Sequence, residues 1–128
     1  MPVFVVETTY HLPVYRQRLY DAETVDAACH LAVEDEGWAD ERSDVDTSGE
    51  TYVTGIWQDA ERAYEGTALP IPAGFHETVQ RKAELFDTLV ALLREPARPM
   101  GLSRQEFERW LPEAVAALEK ADAILEGR

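Results

Sequence analysis

Residues 3–10, Val-Phe-Val-Val-Glu-Thr-Thr-Tyr, are β-branched and aromatic in the manner of a strand. Residues 14–20 repeat the character, and their alternation suggests a hairpin register. With Leu12 and Pro13 as the link, Thr9 faces Arg16 and Glu7 faces Arg18. Phe4, Val6, Tyr10, Tyr15 and Leu19 then share one face, and Glu7, Arg16 and Arg18 the other. Leu-Pro is a poor tight-turn pair, so a wider link or a bulge is the alternative.

The period then becomes helical. Asp21 or Thr24 caps a helix that runs to about Glu36, with Val25, Ala28, Cys29, Ala32 and Val33 as its apolar stripe. Residues 34–50 carry eight acids and one base and read as an exposed, turn-rich loop. Thr51–Trp57 is a third strand, and Asp59 caps a short helix to Glu65 closed by Gly66. Residues 68–74 contain two prolines and form a linker.

Two longer helical patterns follow. Phe75, Val79, Ala83, Phe86, Val90 and Leu93 recur at helical spacing, flanked by Leu85, Leu89 and Leu92. Ser103-Arg-Gln-Glu106 is a capping box before a second stripe of Phe107, Leu111, Val115, Leu118 and Leu125, which Pro112 should bend or restart. The expected fold is therefore α+β: a small antiparallel ββαβ unit over residues 1–67, a Pro-rich linker over 68–74, and an amphipathic αα-hairpin over 75–128. Those apolar stripes are wide for a free-standing hairpin. Pairing of two hairpins into a four-helix arrangement would bury the excess, so a homodimer through the C-terminal helices is expected.

Charge sharpens the picture. Of the formal net charge of -13, residues 1–70 hold 15 acids against four arginines. The remaining residues are close to balanced, with 10 acids and 8 bases. A negative field repels nucleic acid and anionic membranes and favours a basic protein partner. The single cysteine, Cys29, cannot form an internal disulfide, and no apolar run approaches a membrane span, so the chain reads as cytoplasmic. Ten Arg against two Lys, with 17 Ala, suit a GC-rich bacterial genome.

Four sets of residues invite a chemical reading. Asp44-Val-Asp46-Thr-Ser48-Gly49 resembles the opening of an EF-hand calcium loop, with alternating oxygen ligands and a turn glycine. The resemblance ends there, because the twelfth position is Gly55 where a bidentate Glu belongs. Asp44, Asp46 and Ser48 are the candidate Ca²⁺ ligands; a plain acidic turn before a strand is the competing explanation. Asp26, His30 and Glu34 form one helical stripe, a sparse set for zinc and an ordinary polar face otherwise. Cys29 sits among small apolar residues, where a thiol is inert packing. Arg16 and Arg18, interleaved with Tyr15 and Tyr20, resemble the basic-aromatic surface of some RNA-binding sheets, but Glu7 offers a cross-strand partner.

No nucleophile elbow, phosphate loop or dinucleotide fingerprint occurs. The expected function is non-enzymatic protein–protein contact, with Tyr10, Tyr15, Trp38 and Trp57 as contact aromatics. Three rivals stand beside it: a nucleic-acid mimic built on the acids of residues 34–50, a calcium-binding module, and an enzyme with folded-together carboxylates such as Glu7 beside His11.

Overall fold

A computed structural model describes residues 1–59 and 61–128. The chain is α+β, with β-strands β1 (Phe4–Thr9), β2 (Val14–Tyr15), β3 (Arg42–Ser43), β4 (Tyr52–Gln58) and β5 (Thr67–Ala68). Its helices are α1 (Val25–Glu34), α2 (Thr78–Arg94) and α3 (Arg104–Leu125). Two compact units emerge. One comprises Met1–Thr9 with Glu50–Arg128; the other, Tyr10–Gly49, is inserted in the chain between β1 and β4.

In the larger unit β1 pairs antiparallel with β4, and β4 with β5. The expected β1–β2 hairpin does not form. Val14 and Tyr15 instead pair with Ser43 and Arg42, and Glu7 lies opposite Gly55, not Arg18. A two-residue hairpin turn needs positive φ at its first or at both central residues, which Leu12 disfavours and Pro13, locked at about −65°, cannot adopt, so no tight turn folds the second segment onto the first. A register shift after Glu7 marks a bulge at Thr54, whose hydroxyl donates to Glu7 Oε1 at 2.6 Å.

Gly55 and Trp57 occupy the same face of β4, and both are buried. The indole lies across the glycine: a Cβ at Gly55 would stand 2.3 Å from Trp57 Cη2. Tyr64, in the left-handed region at φ 65°, closes over the indole with ring centroids 4.7 Å apart. The helix expected over residues 59–65 is instead bends and turns at its described positions, with Ala60 lying outside them. Gly66, at φ 71°, turns the chain into β5. That strand begins where a linker was expected, because Thr67 and Ala68 find free β4 partners before the prolines intervene.

The αα-hairpin forms as its spacing predicts. Ser103 Oγ accepts from Glu106 N at 3.1 Å, while the Glu106 carboxylate accepts from Ser103 N at 3.2 Å, completing the capping box. Arg98, with both capping contacts of Ser103, holds the Glu106 carboxyl down at about 2. α3 continues through Pro112 without restarting. The N-terminus of α2 has no side-chain cap of its own from Glu77; Glu50 supplies one from a distance, accepting from the amide and hydroxyl of Thr78.

Helix pairing uses a different row from the one expected. Leu85 and Leu92 of α2 are buried against Ala114, Ala117 and Ile124 of α3, and Trp110 Nε1 donates to Leu92 O at 2.8 Å. Alanines at the contact let the helix backbones approach closely, and a seam spaced three and four residues apart keeps them in register.

Candidate interaction surface

The smaller unit contains no fully buried residue. What organises it is a guanidinium. Arg16, just past β2, has a side chain only 7% exposed. It donates to Ala32 O at 2.8 Å, to Asp35 O at 2.5 Å and to Gly37 O, the carbonyls around the C-terminal end of α1. Those carbonyls have no partner within the helix, and α1 carries no base in its last turn. Arg16 also stacks on Trp38, 4.0 Å from the ring centroid.

Arg18 completes the network. It donates to Asp35 Oδ2 at 2.8 Å and to Asp40 Oδ1 at 2.6 Å. Tyr20 OH donates to Asp35 Oδ2 at 2.7 Å, and Gly37 N to Asp35 Oδ1 at 3.0 Å. The Gly37 amide, the Tyr20 hydroxyl and Arg18 together hold the Asp35 carboxyl well below the usual range. Asp40 is lowered by Arg18, and the Tyr20 phenol is raised by its bond to Asp35.

The two arginines are therefore not a sheet surface for RNA, and two acids of the 34–50 cluster are neutralised within their own unit. A depressed carboxyl contributes stability above its unfolded value, about 4, and loses it as pH falls through the folded value. Residues 10–49 should accordingly lose amide protection below about pH 4, and Asp35→Asn should flatten that acid dependence. Hydrogen exchange across a pH series measures both; an unchanged slope in the variant would remove Asp35 from the account.

The other candidates resolve individually. Asp44 Oδ1 accepts from Asp46 N at 3.0 Å and caps a single 3₁₀ turn, Val45–Thr47, which is the acidic-turn alternative to a calcium loop. No group of three or more His, Cys, Asp or Glu is arranged for a metal among the described residues. His30 Nε2 stands 3.4 Å from Asp26, without Glu34. Cys29 is exposed, as are Val25 and Val33, so the stripe of α1 is not packed as expected. Glu7 is engaged by Thr54 and, at 3.4 Å, by Tyr64 OH, while His11 belongs to the other unit. Of the four contact aromatics, Trp57 is a correction: it is 7% exposed and packs within its own unit. Tyr10, Tyr15 and Trp38 remain exposed, Trp38 beneath Arg16.

A cleft of about 600 Å³ opens within the larger unit, lined by Tyr52, Thr54, Ile71, His76, Glu77 and Arg81. Burial and then the Glu77 charge raise the Tyr52 phenol, keeping it neutral.

The most extensive feature lies on the hairpin. Val79, Phe86 and Leu93 of α2 are exposed, Phe86 to 64%. So are Phe107, Leu111, Val115, Leu118 and Leu125 of α3. These belong to the main stripes of the sequence pattern, and they are exposed, whereas Leu85 and Leu92 of the flanking row are buried. On both helices the exposed row is offset by one residue from the buried row, a rotation of about 100°. Because the helices run antiparallel, equal rotations in sequence turn both rows to the same side. The hairpin thus presents one largely apolar face, interrupted on α3 by Asp122. A shallow groove of about 200 Å³ along it, lined by Lys82, Leu85, Leu89, Ala121, Ile124 and Leu125, marks the line between the helices.

Comparison with protein-family models, curated proteins and solved structures returns no match. No helix among the described residues is long and apolar enough to cross a membrane.

Proposed function

We propose that this protein is a non-enzymatic interaction module of the cytoplasm whose docking surface is the outer face of the α2–α3 hairpin. The observation that carries the reading is the alignment of eight large, exposed apolar side chains on one side of two packed helices. Single exposed apolar residues are ordinary; a contiguous patch of this kind marks a protein contact. The hairpin is also a rigid platform, held by the buried Leu–Ala seam, the Trp110–Leu92 bond and the Ser103 capping box. An acidic remainder suits the role, since it keeps nucleic acid and anionic membranes away and leaves the apolar face as the adhesive part.

Carbene labelling of the full chain in crude cell extract tests this. Met100, in the loop between α2 and α3 and 102% exposed, is an internal standard for an open side chain. Phe86, Leu93 and Leu118 are 64%, 65% and 57% exposed in the single chain, and should label far below the share of the Met100 signal that this exposure allows. Labelling of the three in proportion to that exposure would show an uncovered face and end the proposal.

A further inference from the structure

We infer that the occupant of this face is a second copy of the chain, related by a two-fold axis parallel to the helices, so that α2 of each copy packs against α3 of the other. The inference rests on the hairpin-face reading above and specifies its partner.

In a four-helix bundle each helix touches two neighbours along lines about a quarter-turn apart. The one-residue offset between buried and exposed rows provides that geometry on both helices. The second row of α2 is Val79, Ala83, Phe86, Val90 and Leu93, spaced four, three, four and three residues apart. The second row of α3 is Leu111, Val115, Leu118, Asp122 and Leu125, with the same four- and three-residue steps. Two seams per helix are more than a lone hairpin uses, and they are what a pair of hairpins requires.

The rows also match each other in height. Within the hairpin, Leu85 shares grooves with Lys120 and Ala121, and Leu92 shares one with Glu113 and Ala117. A two-fold parallel to the helices preserves height, so the same levels apply between copies. Phe86 then meets Leu118 of the other copy, Val90 meets Val115, Leu93 meets Leu111, and Val79 meets Leu125. At the remaining level the smallest residue, Ala83, meets Asp122, and the adjacent Lys82 brings a cation to that carboxylate. Neither Lys82 nor Asp122 makes an ion pair among the described residues. The one charge in the second rows thus acquires a partner of opposite sign.

The other two-fold, perpendicular to the helices, sets α3 against α3 and α2 against α2. It takes Asp122 away from Lys82 and leaves it opposite the row of Leu111, Val115, Leu118 and Leu125, which contains no base.

Cross-linking distinguishes the arrangements. On a Cys29→Ser background, Val90→Cys and Val115→Cys are purified separately with tags of different mass, then mixed and oxidised. Light scattering should give twice the 14.4 kDa chain mass at micromolar concentration. The disulfide product should be the mixed dimer, in at least about tenfold excess over either same-variant dimer. A dimer that cross-links Val115→Cys to itself would overturn the axis and leave the covered face standing. A chain that stays at 14.4 kDa and yields no cross-link would overturn the second copy. The labelling in extract separates these failures: a face still covered there belongs to a different protein, and an open one removes the docking surface itself.

Discussion

Replacing Arg16 by methionine should unfold residues 10–49 while leaving the larger unit folded. Methionine keeps much of the aliphatic length but donates no hydrogen bond, so the carbonyls of Ala32, Asp35 and Gly37 lose a shared donor at once. The stacking on Trp38 goes with them. Hydrogen bonds from a charged donor contribute about 1.5–3 kcal/mol each and a cation–π contact about 1, but bonds from one shared guanidinium are not additive and water replaces part of them, so the expected loss is roughly 3–5 kcal/mol. A unit without a buried apolar residue has little else to retain it. Native-state hydrogen exchange should show α1 amides exchanging freely while those of α2 and α3 keep their protection. Retained protection in α1 would mean that Arg16 is dispensable to its unit.

The second large effect is expected at Trp57 and Gly55. Trp57→Ala removes the main buried side chain of the sheet and should cost about 3–5 kcal/mol. Gly55→Ala should destabilise by the opposite mechanism, overpacking, because its methyl would occupy the volume of the indole ring. The diagnostic is the double variant: with the indole gone, the added methyl has nothing to displace. Urea unfolding should therefore find the pair less destabilised than the sum of the single variants. Strict additivity would show that the clash is not what makes Gly55 necessary.

Much of this architecture was legible in the residues. The first and third strands, the hairpin with its Ser103–Glu106 box, and Thr24, one of two caps offered for α1, follow from local patterns and lie where those patterns place them. Strand pairing was not legible. Alternation in residues 14–20 fits any strand neighbour, and it cannot reveal that Arg42 and Ser43 compete successfully for Val14 and Tyr15. The role of Arg16 had one faint signal, a helix ending in Ala-Val-Glu-Asp-Glu-Gly without a base to satisfy its last carbonyls. Such carbonyls need a donor from elsewhere in the chain, and periodicity does not say which.

The candidate surface was legible as excess apolar width, but which of the two rows joins the helices was not. The row of Phe86 and Leu118 is bulkier and more apolar than the row of Leu85 and Ala117, so hydropathy selects it for the core. Packing selects the other, because alanine admits a neighbouring backbone where phenylalanine holds it off. Excess apolar width in a two-helix element is better read as a second interface than as a larger core. The expectation of contact aromatics failed at Trp57 for a related reason. A tryptophan two residues from a glycine on one strand face has a ready site to fold over.

The insertion of residues 10–49 also bears on how the chain reaches this structure. β1 and β4 meet as if joined by a hairpin turn, with Thr9 opposite Tyr52, yet forty-two residues, 10–51, separate their pairing ends. Closing a flexible loop of that length costs about 2–3 kcal/mol in chain entropy beyond a short turn. α2 and α3 close through residues 95–103, which include Met100, at a cost about 1–1.5 kcal/mol smaller than that of the long loop, so the helical hairpin should assemble early and the sheet late. The inserted unit shortens the gap itself. Gly49 N donates to His11 O at 2.8 Å, drawing its two ends together. Once the Arg16 cluster has formed, β1 and β4 are presented to one another as neighbours, and a long closure becomes in effect a short one.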